Sequence, residues 1–241
     1  DAGEEGLGDL KGTRRLVDVF GHRMKEFISL DCTSVMLVPS GVGSRRYRVS
    51  IDTEGGHSFA NFGNRNAIHL LASMITTLYA MKVPTGGRTT YNVGTIEGGT
   101  TVNTIAQKCS MLYEYRSDDK GCLEAMRKQF EQAMDVLNGD EAVFEKELMG
   151  ERPCMGDVDP VAQKALEDRF VSIMTAYNGG IVPKGGSAST DCNIPLSMNI
   201  PAICYGFYRG QGAHTREEYV EISSLKTGYY AAFESILAFF A

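Results

Sequence analysis

The sequence predicts an α/β domain interrupted by a separate α+β domain. Three observations carry this. Residues 45–150 read strand, helix, strand, strand, helix, strand, the order of a ferredoxin-like split unit. Residues 201–207 form an apolar run suited to a strand buried on both faces, as parallel sheets require. Helix and strand signals at both ends flank the middle block, so the two ends together make one discontinuous domain. The expected boundaries are 1–43 with 154–241 for the flanking α/β domain, and 44–153 for the insertion.

In chain order, an acidic, Gly-rich opening (DAGEEGLGDLKG) leads into a helical pattern with Leu16, Phe20, Met24 and Phe27 on one face. A short buried strand is expected at residues 27–30, ending at Asp31. Residues 45–52 alternate: Tyr47, Val49 and Ile51 face one way, Arg46, Arg48 and Ser50 the other, the pattern of a half-buried strand. GGHS at 55–58 breaks it. An amphipathic helix over residues 66–80 carries Ala67, Leu71, Met74, Ile75 and Leu78 as its stripe. Strands follow at 89–96 and 105–116, joined through Gly98 and Gly99. In the second of them, Cys109, Met111, Tyr113 and Tyr115 alternate with polar neighbours. A helix with Leu123, Met126, Phe130, Ala133 and Leu137 ends at Asn138-Gly139-Asp140, and a last strand is expected at 141–149. Asp159-Pro160 supplies an N-cap and a proline at the first helical position, and that helix runs to Tyr177. A Gly-rich loop precedes SASTDCN, and a final helix is expected at 223–240.

Composition narrows the function classes. Basic residues number 24 and acidic ones 30, a net charge of -6 without basic blocks, which argues against sequence-independent nucleic-acid binding. No apolar run approaches the ~18 residues of a membrane span. The six cysteines include no CxxC pair and read mostly as small core residues in a reducing, cytoplasmic compartment. GLGDLKG misses the dinucleotide-binding spacing by one residue, and KGGSAST lacks the order of a phosphate-binding loop.

Four features can carry chemistry: the Glu4-Glu5 pair, Asp31 at a strand end, His57 after two glycines, and His214 in GAHTREE. Each has a plainer reading as well. Glu4 and Glu5 also read as a solvated surface pair, Asp31 as a turn residue and His57 as a loop histidine. His214 stands between the two readings, because it follows a buried strand where α/β proteins place ligands. Carboxylates and imidazoles from separate segments are the ligand set that zinc prefers, and a carboxylate that is not a ligand can serve as general base. Without HExxH, convergence of these residues does not follow from spacing.

Several stretches together resemble the co-catalytic di-zinc metallohydrolases that include peptidase T, carboxypeptidase G, aminoacylase-1 and succinyl-diaminopimelate desuccinylase. They are EEGLGDLKG at 4–12, GGHSFANFGNRNAI at 55–68, YNVGTIEGGTTVNTI at 91–105, YRS at 115–117, GGSASTDCN at 185–193 and GAHTREEYVEISSL at 212–225. They occur in the family's order along the whole chain, and the GGHS and GAHTREE forms are closest to the peptidase T-like branch. The resemblance implies a zinc-peptidase-like α/β catalytic domain with an inserted ferredoxin-like lid and dimerisation domain. It implies two zinc ions per complete site, with cobalt or manganese as alternatives. It implies Glu4 as general base, Glu5 and His214 on one metal ion and Asp31 on the second. It further implies that His57, reaching in from a neighbouring subunit, steadies the oxyanion, and that Asn103, Arg116 and the Gly185–Asn193 loop, with Gly186 and Asn193, hold the substrate. Asp191 tempts as a ligand, but the family pattern does not make it one.

The resemblance also requires an upstream His-x-Asp and a bridging Asp, both ahead of the Glu pair. Neither occurs in these 241 residues. The chain is therefore expected to be a partial catalytic domain, inactive or nearly so by itself and a weak zinc binder. Two functions remain in view. One is a zinc-dependent peptidase or amidohydrolase, working as a homodimer on short peptides or N-acyl amino acids, with no nucleic-acid or membrane partner. The other is a catalytically incompetent dimerisation or interaction module.

Overall fold

The structure, a computed structural model, describes Gly3 and residues 8–139, 142–213 and 215–240. The backbone divides into two compact units, residues 43–151 and residues 1–42 with 152–241. The flanking unit opens with helix α1 (Lys11–Phe20), a 3₁₀ turn at Gly21–Arg23, and strands β1 (Phe27–Leu30) and β2 (Met36–Gly41). The expected apolar stripe of α1 is corrected here. Thr13 and Val17 are buried, as is Leu10 just before the helix, whereas Leu16 and Phe20 are 41% and 46% exposed. Leu10 and Val17 cluster with Ile194, and it is this contact that selects the inward face.

The inserted unit contains β3 (Gly43–Asp52), β4 (Gly56–His57), α2 (Ala67–Tyr79), β5 (Thr89–Gly98), β6 (Thr104–Ile105), β7 (Lys108–Ser117), α3 (Lys120–Leu137) and β8 (Phe144–Arg152). Its main sheet has the order β5-β7-β3-β8, the ferredoxin-like arrangement. The antiparallel register sets Tyr47 opposite Tyr113, Val49 opposite Met111 and Ile51 opposite Cys109, so the inward residues of neighbouring strands share one face. Both helices pack on that face. Phe130 of α3 is fully buried, with ring centroids 4.5 Å from Tyr47 and 5.5 Å from Tyr113. Asn66 caps α2 by accepting from the Ile68 amide, and Asp119 caps α3 by accepting from that of Cys122.

Several strand boundaries differ from expectation. The strand expected over 105–116 is two pieces: β6 pairs with β4, and β7 begins at Lys108. Gly55 sits at this break with φ +58, and a Cβ there would lie 2.1 Å from the Gln107 side chain. The last strand of the unit runs Phe144–Arg152, past the expected end at 149.

The flanking unit resumes with α4 (Pro160–Tyr177), β9 (Lys184–Ala188), α5 (Asn193–Ser197), β10 (Ala202–Tyr205), the short pair β11 (Gly210–Gln211) and β12 (Tyr219–Val220), and α6 (Ile222–Leu237). The Asp159 side chain caps α4 through the Val161 amide, with Pro160 at the helix start. The sheet order is β1-β10-β2-β9. All four residues of β10 are buried, and it runs parallel to β1 and antiparallel to β2. As an edge strand with one neighbour, β1 is only half buried and Leu30 is 50% exposed, not the buried strand expected. The fold is thus an α/β domain carrying an inserted α+β domain.

Candidate active site

In the flanking unit, β1 and β10 run parallel, so their carboxyl ends share one edge of the sheet. Asp31 follows β1 at that edge, and its amide donates to the Tyr205 carbonyl (3.0 Å). One carboxylate oxygen accepts the Cys32 amide at 2.7 Å. The side chain is exposed, which leaves the other oxygen for a ligand. Gly206 continues from β10 so close to this turn that a Cβ would lie 2.0 Å from the Cys32 carbonyl oxygen. Burial first, and then the Asp31 charge, push the Tyr208 phenol above its ordinary range. The crevice beyond the carboxyl ends of parallel strands is where α/β sheets bind ligands.

Gly186 lies in β9, and a Cβ there would meet nothing within 4 Å, so the space around it is open. Asn193 behaves otherwise. It is fully buried, its Oδ1 accepts the Thr190 amide (2.8 Å), and its Nδ2 donates to the carbonyls of Val42 (2.9 Å) and Pro153 (2.8 Å). Its carboxamide has no free donor in this arrangement, and it braces the loop where substrate contact was expected. Asp191 has one buried carboxylate oxygen without a hydrogen-bond partner among the described residues. Beside it, the Cys192 thiol is pushed up to about 12, mainly by burial.

In the inserted unit, His57 sits on β4, opposite Thr104 of β6. The chain turns back immediately: the His57 carbonyl accepts from the Asn61 amide, and Asn61 Oδ1 accepts from the His57 amide, both at 2.9 Å. His57 Nδ1 accepts from the amides of Phe59 (3.2 Å) and Ala60 (3.3 Å). With Nδ1 an acceptor, the neutral ring carries its proton on Nε2, where it is free to donate. Glu54 and Arg65 close the base of this turn. Glu54 accepts from both the amide and the guanidinium of Arg65 at 2.8 Å each, and its carboxyl is lowered to about 2, chiefly by the Arg65 amide.

Asn103 is the neighbour of His57, since its carbonyl accepts the Ser58 amide (2.9 Å). Its side-chain oxygen accepts from Thr101 Oγ1 (2.8 Å), which leaves the amide NH₂ as a donor. Arg116 is elsewhere. It lies on the polar face of β7, as its alternation predicts, with a two-point contact to Glu114 (3.0 and 2.9 Å). It is eight residues beyond Lys108, about 27 Å along the strand from the end near β6. The structure therefore brings His57 together with Asn103 and keeps Arg116 apart from both. Glu4, Glu5 and His214 lie outside the described residues. Among the described residues, no group of three or more His, Cys, Asp or Glu can hold a metal ion.

Sequence reasoning missed the two phenylalanines on the His57 turn, Phe59 and Phe62, which are 89% and 90% exposed. Their signal was present: two aromatics among Gly, Ser and Asn, outside any alternating or helical pattern.

Compared with known proteins, residues 42–141 match the peptidase dimerisation domain. The matched stretch spans β3 to α3 and includes His57, Asn103 and Arg116. Curated protein sequences give no match. Among solved structures, an aminopeptidase PepT from Bacillus cereus is 23% identical with a TM-score of 0.67, covering 95% of this chain and 61% of its own. A tripeptidase from Staphylococcus aureus is 22% identical with a TM-score of 0.66, covering 95% and 60%. An aminobenzoyl-glutamate utilization protein from Klebsiella pneumoniae is 15% identical with a TM-score of 0.61, covering 87% and 52%. These likenesses establish the fold on both sides of the dimerisation domain, as the resemblance to the peptidase T-like branch implied. The chain spans 52–61% of the length of these structures.

Proposed function

We propose that the protein is a metal-dependent hydrolase that cleaves an amide bond in short peptides or N-acyl amino acids, and that it works as a homodimer. The observation that carries this is the His57 imidazole: Nδ1 is held by two backbone amides, Nε2–H is free, and Asn103 is alongside, all within a peptidase dimerisation domain. A donor fixed in this way matches what a developing oxyanion needs, because no reorganisation is required as charge appears.

The proposed roles follow the chemistry of each group. Glu4 takes a proton from the attacking water and passes it to the leaving amine. Glu5 and His214 would hold one zinc ion and Asp31 the second, and cobalt or manganese could replace zinc. Asp31 fits a ligand's part, being an exposed carboxylate with one oxygen uncommitted at the carboxyl edge of parallel strands. When bound, the metal supplies Lewis acidity toward water and the scissile carbonyl. His57 Nε2–H and the Asn103 amide donate to the oxyanion. Arg116 offers its planar fork to a substrate carboxylate, exchanging its contact with Glu114. Gly186 leaves room for the substrate main chain, and Asn193 keeps that loop in place. The distance of about 27 Å along β7 separates Arg116 from the His57 hairpin by more than a short peptide can bridge. Two copies related by a two-fold axis resolve this, one supplying His57 and Asn103 and the other Arg116. Among the described residues no helix is long and apolar enough to cross a membrane, and a cytoplasmic setting is proposed on the unpaired cysteines.

The test is hydrolysis of di- and tripeptides and N-acyl amino acids by the whole protein, with added zinc or cobalt and with chelator. Chelation should abolish turnover, and His57→Ala should lower kcat about 10²–10³-fold. A dimer that cleaves none of these substrates would leave the interaction-module reading standing instead.

A further inference from the structure

The polar face of the inserted sheet carries a cluster of ion pairs with one more cation than anion. Glu114 of β7 lies directly opposite Arg46 of β3, and Arg116 is the next residue of β7 on the same face. Glu114 holds the Arg116 guanidinium at two points, with Oε1 accepting from Nε (3.0 Å) and Oε2 from Nη2 (2.9 Å). The same Oε2 is 3.5 Å from Arg46 Nε, which is ion-pair range without a formed hydrogen bond. Two residues further along β3, Arg48 has its own partner in Glu147 (3.7 Å). Among the described residues, three guanidiniums here meet two carboxylates, which leaves charge for one more carboxylate.

Glu114 is thus unevenly shared, bonded to Arg116 and only close to Arg46. A ligand carboxylate that takes Arg116 has to displace it. The Glu114 side chain is 29% exposed, so stranding it without a partner would oppose binding. Arg46 removes that penalty. A shift of the Glu114 carboxylate by about 0.6 Å turns the existing approach into a charge-assisted hydrogen bond.

We propose that Arg46 is a positioning residue of the substrate-carboxylate site: it receives Glu114 when the substrate carboxylate takes Arg116, so every charge on the face stays paired. This rests on the hydrolase reading above, in which Arg116 binds substrate, and adds a substrate class to it. With one cation in excess, the face suits a single carboxylate, that is, peptides or N-acyl amino acids with a free terminal carboxylate and no second acid beside it.

The experiment measures KM and kcat of the whole protein, with added zinc or cobalt, on a tripeptide with a free terminal carboxylate and on its C-terminal amide. The proteins are wild type, Arg46→Gln, Glu114→Gln, the double variant and Arg46→Lys. Arg46→Gln should raise KM for the acid about fivefold, the scale of one part-exposed ion pair, and act on KM rather than kcat. Glu114→Gln removes the competing carboxylate and should lower that KM. With Gln at 114, the further change Arg46→Gln should move KM by less than about twofold, because Arg46 then has no carboxylate to receive. Arg46→Lys should keep most of the wild-type KM. The amide should show much smaller changes throughout. Equal effects of Arg46→Gln with and without Glu114 overturn this proposal alone, since Arg46 would then attract substrate directly. So does a raised KM in Glu114→Gln, which would make Glu114 a fixed support for Arg116. Equal wild-type KM for acid and amide overturns the proposal and the part given to Arg116, and leaves the hydrolase reading standing. A wild-type protein that cleaves neither peptide overturns the proposal together with that reading.

Discussion

Replacing Asn193 with alanine should unfold the flanking unit at markedly lower denaturant. The side chain is 0% exposed and makes three hydrogen bonds, to the Thr190 amide and to the Val42 and Pro153 carbonyls, at 2.8–2.9 Å. Each bond contributes about 1 kcal/mol net, and groups that stay buried without a partner add to the loss. A total of about 3–5 kcal/mol follows, a large share of the ~5–15 kcal/mol that stabilises an ordinary domain. With a urea slope of about 2 kcal/mol/M, the midpoint should fall by about 1.5–2.5 M, followed by circular dichroism. Asn193→Asp should be at least as damaging. It keeps the shape but sets a carboxylate where two carbonyl oxygens expect donors. A loss under about 1 kcal/mol, combined with a drop of more than tenfold in kcat/KM, would refute the reasoning. Asn193 would then be acting on substrate and not on the backbone around it.

Three further outcomes are expected. Gly228→Ala sets a Cβ 1.6 Å from the Phe207 carbonyl oxygen and should cost about 3 kcal/mol or more, whereas Gly139→Ala meets nothing within 4 Å and should melt close to wild type. Glu54 is held at about 2 against an ordinary value of 4.5, so its stabilisation is complete above about 4.5 and is lost as pH falls toward 2. The melting difference between wild type and Glu54→Gln should therefore shrink across that window, and a constant difference would count against the Arg65 clamp. Of the six cysteines only Cys32 is partly exposed; burial raises the Cys192 thiol, and the contact with Cys32, with burial behind it, raises that of Cys204. A chromogenic disulfide reagent at pH 8 should thus label at most one thiol quickly in the native protein and all six after denaturation.

Much of the inserted domain was legible in advance because its signals are local. Tyr47, Val49 and Ile51 alternate on one strand and Cys109, Met111, Tyr113 and Tyr115 on another, and a strand's two faces differ by one residue whatever lies next to it. The cap at Asp159 was legible for the same reason, since it acts on an amide two residues away, while the caps at Asn66 and Asp119 emerged only with the structure. The helix α1 was misread because two faces carry apolar residues, and only contact with Ile194, far along the chain, selects between them. The candidate site was half legible. The motif around His57 stood out, but its tautomer depends on how the turn folds back, and the exposure of Phe59 and Phe62 on what packs around that turn.

Taken alone, the residues determined that an α/β chain is interrupted by a βαββαβ insertion, where the helix after Asp159 starts, and which side is apolar in the strands around Tyr47–Ile51 and Cys109–Tyr115. Those follow from backbone periodicity and short-range hydrogen bonding. The three-dimensional fold decided that β1 lies parallel to β10 with Asp31 at their common edge, that Asn193 is a brace, and that His57 keeps company with Asn103 and not with Arg116. Periodicity states that a face must be covered without naming its cover, and partners distant in sequence meet only once the chain has packed.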